Sequence, residues 1–282
     1  MPKARKKKVP ITSDGRDIAS PASSNPHTTR TVIRRFHVLL KRQGQLENNP
    51  ATTSNAAELK KINEEIAIMG GLAAYQRMSS VGQGTDRGGG SERVLINWLV
   101  NMGFSTRDNM SKLGLLEVGA LKPDNYASCS SWIDATPIDL RSRHPAIREQ
   151  DFLLMEVNEN RGKWDILSLS LVINFVPEPR DRGRMLCLAH TFLRESGLLF
   201  LVLPLPCVEN SRYLTFEHLS SLMTTIGFCE VEKKWKQGGK MAYWLYRKVE
   251  RDTCSDFSPF RKRSACRQGS SRNNFVILLQ DL

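Results

Sequence analysis

Gly119 and Asp139 stand twenty residues apart, each closing an apolar run: "LLEVGA" for the first and "PIDL" for the second. A glycine at the end of a buried strand lets the backbone turn sharply and approach a ligand with no side chain in the way. A carboxylate at the end of the next strand can accept hydrogen bonds from both ribose hydroxyls. Dinucleotide sites use the same acid but a fuller set of glycines, because a pyrophosphate must lie against bare backbone. The stretch Glu117-Val118-Gly119 supplies one glycine only. That pattern suits an adenosine ligand lacking a pyrophosphate, such as the methyl donor S-adenosylmethionine. Gly119 and Asp139, with Glu117 at the same strand end, are the first candidates for a donor site.

Two further groups extend it. Gln150-Asp151-Phe152 is placed at the end of the third strand, and an acid followed by a ring can bind and sandwich an adenine. Asp151 and Phe152 are the candidates for that contact. "WDILSLSLVINFVP" carries Asn174 and Phe175 at its far end, beyond the donor residues. In adenine amino-group methyltransferases an Asn-Pro-Pro-aromatic run occupies this place. "NFVP" is a looser version that still offers an amide for a base edge and a ring for its face. Each residue also has a plainer alternative: Gly119 a simple turn, Asp139 a helix cap, Asp151 a loop carboxylate, Asn174 a turn residue and Phe175 core.

The elements that must position these groups alternate from residue 112 onward. Strands are expected at "KLGLLEVGA", "ATPIDL", "REQDFLL", "KWDILSLSLVINFV" and "LLFLVLPL", and helices at "DRGRMLCLAHTFLRESG" and "TFEHLSSLMTTIGF". "CEVEKKWKQGGKMAYWLYRKV" reads as a hairpin turning at Gly238-Gly239. Strands separated by helices imply a parallel sheet covered on both faces. The expected fold is therefore α/β: a doubly wound, Rossmann-like class I methyltransferase sheet ending in an antiparallel hairpin. A small basic helical region precedes it. The expected divisions are a disordered basic tail over 1–26, a helical RNA-binding region over 27–103, the methyltransferase domain over 104–249 and a poorly ordered tail over 250–282.

The chain carries 41 Lys and Arg against 29 Asp and Glu, a net charge of +12. That excess favours a polyanionic partner, nucleic acid before membrane. The basic positions Arg34, Arg35, Lys41 and Arg42 surround the apolar face of a helix over residues 28–43 and are the candidate RNA-binding residues. The "ARKKK" stretch at residues 4–8 has the composition of a nuclear address or an RNA-binding tail. No apolar run is long enough to span a membrane. The six cysteines show no C-x-x-C pairing, so neither a zinc site nor another metal is expected.

Several of these stretches together resemble the fungal 25S ribosomal RNA adenine-N(1) methyltransferase family: "IRRFHVLLKR", "GGLAAYQRMSSVGQGTDRGG", "LLEVGAL", "PIDLRS", "QDF", "WDILSLSLVINFVP" and "DRGRMLCLAHTFL". The resemblance runs from about residue 31 to 248. It implies S-adenosylmethionine as methyl donor, with Gly119 and Asp139 holding it. Large-subunit ribosomal RNA or a pre-ribosomal particle would be the partner, and the nucleus and nucleolus the location. Phe175 and Tyr75 are candidates to stack on the target base. A monomer is expected, since the hairpin is polar on one face. The loop expected to read "RGGDSS" reads "RGGGSE", with Gly90 in place of the acid, and the tail after Lys248 does not resemble the family. The alternative is a non-catalytic S-adenosylmethionine sensor binding a protein partner, which would need neither the basic arm nor an acceptor pocket. A nicotinamide-dependent reductase would need a fuller glycine loop and a Tyr-x-x-x-Lys relay, and the sheet region offers neither.

Overall fold

The computed structural model describes residues 35–36, 38–40, 42–43, 46, 53–71, 74, 90–106, 111–142, 144–250 and 256–280. The basic tail 1–26, Arg34, Lys41, Tyr75 and most of the glycine-rich loop lie outside the described residues.

Seven strands form one sheet in the order β3-β2-β1-β4-β5-β7-β6. β1 (Leu113–Val118), β2 (Ile133–Asp139), β3 (Arg148–Glu149), β4 (Trp164–Ser170) and β5 (Leu193–Pro204) are parallel. β7 (Met241–Lys248) runs antiparallel to both its neighbours, β5 and β6 (Phe228–Trp235). The central strands are apolar at consecutive positions because both their faces are covered. Leu116, Leu167 and Leu199 face one layer, with α3 (Pro179–Phe192) and α4 (Phe216–Ile226) over it. Leu115, Ile166 and Leu198 face the other, under Leu95 and Leu99 of α2 (Glu92–Asn101). The period-two alternation of strand side chains produces these two cores from one run of sequence. Thr215 caps α4 by accepting from the His218 N–H at 3.0 Å, and Gly227 at φ 106 ends it.

Three boundaries differ from expectation. The third strand is reduced to Arg148–Glu149, because Phe152–Leu154 winds into a 3₁₀ turn. The helix read through to Gly197 stops at Phe192 instead. Leu193 already pairs with Trp164, and residues 194–197 bulge before Leu198 meets Ile166. The fourth strand stops at Ser170, and residues 171–176 turn.

The largest correction concerns the tail, expected to be poorly ordered. Phe257, Phe260, Phe275, Val276, Ile277, Leu278 and Leu279 are each at most 9% exposed. Leu278 N–H donates to the Pro179 carbonyl and Leu279 N–H to that of Phe260, both at 2.9 Å. The segment crosses α3 at Gly183, where any Cβ would collide with the Leu278 carbonyl. Burying this apolar run is what holds the segment down. It packs into the same core as α3 and the sheet.

Upstream, α1 (Thr53–Ile68) meets the helical residues around 35–46 through Leu39, Leu46 and Ile62.

Candidate active site

The sheet order reverses between β1 and β4, and in such sheets ligands bind in the crevice beyond the C-terminal strand ends at that point. Gly119, following β1, has φ 76 and donates its N–H to the Ile138 carbonyl at 2.8 Å. A Cβ there would lie 2.8 Å from Cγ2 of Val172, which follows β4. The two sides of the crevice are thus as close as a glycine permits.

Asp139 ends β2, beside this turn, and is half-buried. Its carboxylate accepts the Arg141 N–H at 2.9 Å. Burial raises its pKa, with the Arg141 hydrogen bond opposing and Glu149 adding to the rise. The Asp139 carbonyl accepts the Gln150 N–H at 2.9 Å, which fixes the next loop. In that loop Asp151 caps the 3₁₀ turn, accepting the Leu153 N–H at 2.8 Å.

Phe152 does not present a face to a ligand. It is 3% exposed and meets Phe192 edge-to-face at 5.5 Å, so the ring expected to sandwich an adenine is core. The capped turn at Asp151 points it inward. The exposed apolar residues on this edge are Leu140, at 62%, and Leu154, at 72%. An apolar residue directly after the strand-ending acid was the sequence signal for Leu140.

Glu117 is buried in β1 and accepts from Asn125 Nδ2 at 2.7 Å. Burial pushes its carboxyl up to about 7, the Asn125 bond opposing and the Glu92 charge adding to the effect. Glu92 begins α2, and its carboxylate accepts the Gly90 N–H at 3.1 Å. It fills the space a side chain at Gly90 would need. Ser91 and Ser170 share a hydrogen bond of 2.5 Å that ties the start of α2 to the end of β4.

Because folding favours the neutral form of Glu117, its stabilising contribution is full below the ordinary value of 4.5 and is lost as pH rises through about 7. The loss is about 3 kcal/mol. Urea unfolding between pH 5 and pH 8 is expected to show this loss in the wild type and to lack it in Glu117→Gln, the difference between the two profiles being the readout. A cationic ligand beside Glu117 favours its ionised form, so affinity for such a ligand should increase over the same window.

After β4 the chain turns tightly. Leu171 adopts φ 58, rare for a side chain of its size, and Phe175 N–H donates to the Val172 carbonyl at 2.9 Å. Asn174 Oδ1 is buried with no hydrogen-bond partner. An orphaned acceptor costs about 1–3 kcal/mol until a donor arrives. The loop is held from behind by Arg182, which is 1% exposed and donates to the carbonyls of Val176 (2.8 Å), Pro177 (2.9 Å) and Val276 (2.6 Å). Its guanidinium lies over the Phe275 ring at 4.6 Å. Arg182 was not identified from the sequence.

Of the candidate RNA-binding residues, Arg35 and Arg42 are described. Arg35 forms a two-pronged pair with Glu65 at 2.6 and 2.7 Å, and Arg42 a like pair with Glu58 at 2.7 and 2.8 Å. Their forks are committed to α1.

Five parallel strands with their order reversing at β1/β4, and the antiparallel β7 slotted between β5 and β6, define a class I S-adenosylmethionine-dependent methyltransferase fold. The chain belongs to the family described as 25S rRNA (adenine(2142)-N(1))-methyltransferase, Bmt2, which matches residues 60–277. The match extends past Lys248 into the C-terminal segment, where the motif resemblance ends. A 25S rRNA adenine-N(1) methyltransferase of Schizosaccharomyces pombe is 35% identical over 258 residues, covering 87% of this chain and 89% of that protein. The 25S rRNA (adenine(2142)-N(1))-methyltransferase of Saccharomyces cerevisiae is 34% identical over 250 residues, covering 88% and 71%. Among solved structures, an S-adenosylmethionine-dependent methyltransferase from Clostridium acetobutylicum superposes with TM-score 0.47 at 10% identity, over 62% of this chain and 99% of that one. The 1,6-didemethyltoxoflavin-N1-methyltransferase of Burkholderia thailandensis gives 0.44 at 13% identity, over 82% and 94%. The strand order, and not these superpositions, defines the class.

Proposed function

We propose that this protein transfers a methyl group from S-adenosylmethionine to N(1) of an adenine in 25S ribosomal RNA. The observation that carries this reading is the family match, which spans the β1 and β2 ends and the loop after β4 alike. The residues present suit the donor: Gly119 leaves bare backbone at the crevice, Asp139 offers a carboxylate for ribose hydroxyls, and Glu117 offers negative charge for a cationic ligand. Leu140 supplies apolar surface beside Asp139, the part first expected of Phe152, and Asp151 acts by shaping the loop. S-adenosylmethionine supplies an electrophilic methyl group when bound.

On the acceptor side, adenine N(1) carries a lone pair and no proton, so the chain needs no general base. Its task is alignment and exclusion of water. N(1) lies on the pairing edge, so the base must be unpaired or flipped, at a cost of a few kcal/mol. Asn174 Oδ1, buried and without a partner, can accept from the exocyclic amine of that base, and Phe175 offers a face worth about 1–3 kcal/mol in stacking. Both named relatives are methyltransferases, which favours the enzyme over a sensor. The protein acts as a monomer on RNA within pre-ribosomal particles, in the nucleolus. The RNA class and the basic stretch at residues 4–8 support that location.

The test combines purified protein, labelled S-adenosylmethionine and 25S ribosomal RNA. Label is expected in 1-methyladenosine, and Asp139→Ala is expected to reduce transfer at least about a hundredfold, the loss of a charge-assisted ribose contact and its orientation together. Donor binding by calorimetry with no transfer to RNA or to pre-ribosomal particles would sink the enzyme reading.

A further inference from the structure

Residues 257–280 contain Arg261, Lys262, Arg263, Arg267 and Arg272 and no Asp or Glu, so this short segment carries five charges of the chain's net +12. The segment is fastened on both sides of its basic run. Before it, Phe257 and Phe260 are buried. After it, the N–H groups of Cys266 and Arg267 both donate to the Arg212 carbonyl, at 2.9 and 3.2 Å. The Arg267 guanidinium is used internally, donating to the carbonyls of Val208 (2.7 Å), Ser211 (3.2 Å) and Leu214 (3.2 Å). Between these anchors residues 261–265 are all exposed.

The ribbon also has a defined place. Phe260 pairs through its carbonyl with Leu279, Leu278 pairs with Pro179, and Val276 shares Arg182 with the carbonyls of Val176 and Pro177. Those last two residues directly follow Asn174 and Phe175. The positive charge of Arg263 is felt at the Arg182 guanidinium, adding to the burial that lowers it to about 10. Arg261 neighbours Asp256, whose carboxylate is capped by Ser258. The ribbon is therefore tied, through Phe260, Leu279 and Val276, to the same Arg182 that holds the loop assigned to the target base.

We propose that Arg261-Lys262-Arg263 is the surface by which the protein grips the phosphate backbone of its RNA next to the methylated base. This rests on reading the chain as an RNA methyltransferase. It places the grip at the far end of the sequence from the basic helix that holds Arg35 and Arg42. Cations held by anchored backbone lose little freedom on contact, and each phosphate neutralised releases counterions, so the contact is steeply salt-dependent.

The experiment measures binding of a single-stranded RNA oligonucleotide by fluorescence anisotropy across a salt series, together with methyl transfer to ribosomal RNA. The triple variant R261Q/K262Q/R263Q is expected to weaken RNA binding at least about tenfold at moderate salt. The slope of log affinity against log salt should fall by about 2, from roughly 0.7 per phosphate contact. All three side chains are exposed, so donor binding by calorimetry should be unchanged and serves as the check on folding. An unchanged salt slope in the triple variant overturns the proposal, whether or not R35Q/R42Q reduces it. A wild type that binds RNA through this ribbon but transfers no methyl group leaves the surface standing and removes the enzyme reading.

Discussion

Replacing Arg182 by Met is expected to lower the unfolding free energy by about 3–5 kcal/mol and to depress kcat more than donor affinity. The side chain is buried, and its three donor nitrogens satisfy the carbonyls of Val176, Pro177 and Val276. Removing it leaves those acceptors without a donor in a space water cannot easily enter. Burial pushes the guanidinium down to about 10, with Cys207 and Glu178 offsetting part of the effect, and it stays charged at neutral pH. Two of the carbonyls belong to the loop carrying Asn174 and Phe175, and the third to the C-terminal segment. The variant therefore unfastens the loop proposed to hold the base while Gly119 and Asp139 stay in place. Arg182→Lys keeps the charge but has one ammonium where the site needs a fork, so it should recover only part of the loss. Urea denaturation gives the stability, and donor titration beside single-turnover transfer separates the two sides of the site. A Met variant within about 1 kcal/mol of wild type would show that the loop is held by something else.

Gly119→Ala is expected to cost at least about tenfold in donor affinity. Two causes add. At φ 76 an alanine sits in the left-handed region, at about 1–2 kcal/mol. Its methyl would also fall 2.8 Å from Val172 Cγ2, so the strand ends must part. The double variant Gly119→Ala/Val172→Ala separates these terms. It removes the collision and keeps the backbone penalty, so affinity should recover in part, with a coupling energy between the two sites. If the double variant is no better than the single one, the crevice does not depend on the Gly119–Val172 approach.

The existence and order of the parallel strands are legible because continuous apolar runs separated by helical stretches mark them, and the ends of β1 and β2 are legible where "LLEVGA" and "PIDL" stop at a glycine or an acid. The places of Gly119 and Asp139 at the strand ends are legible for the same reason: they sit where those runs stop. Phe152 was misread because a capped 3₁₀ turn and an inward ring look in sequence like a loop with an exposed one. The two arginines of the basic helix carried a signal that went unused. Arg35 and Arg42 are seven apart, as are Glu58 and Glu65, and the pairing runs antiparallel between the helices. The C-terminal segment had no period to read, since "FVILL" is neither alternating nor helical. Its groove exists only once Gly183 and Arg182 are folded on α3, and that long-range complementarity leaves no local trace.

The bond from Arg182 to Val276 joins residues 94 positions apart. At about 5–20 residues per second of translation, roughly 5–20 s pass between the synthesis of the two ends of that bond. The strands β1 to β4 can form during that interval, while the loop proposed to meet the target base waits for its clasp. A nascent chain should therefore acquire the capacity to bind the methyl donor before it can use it, and a product released early would hold donor without modifying RNA.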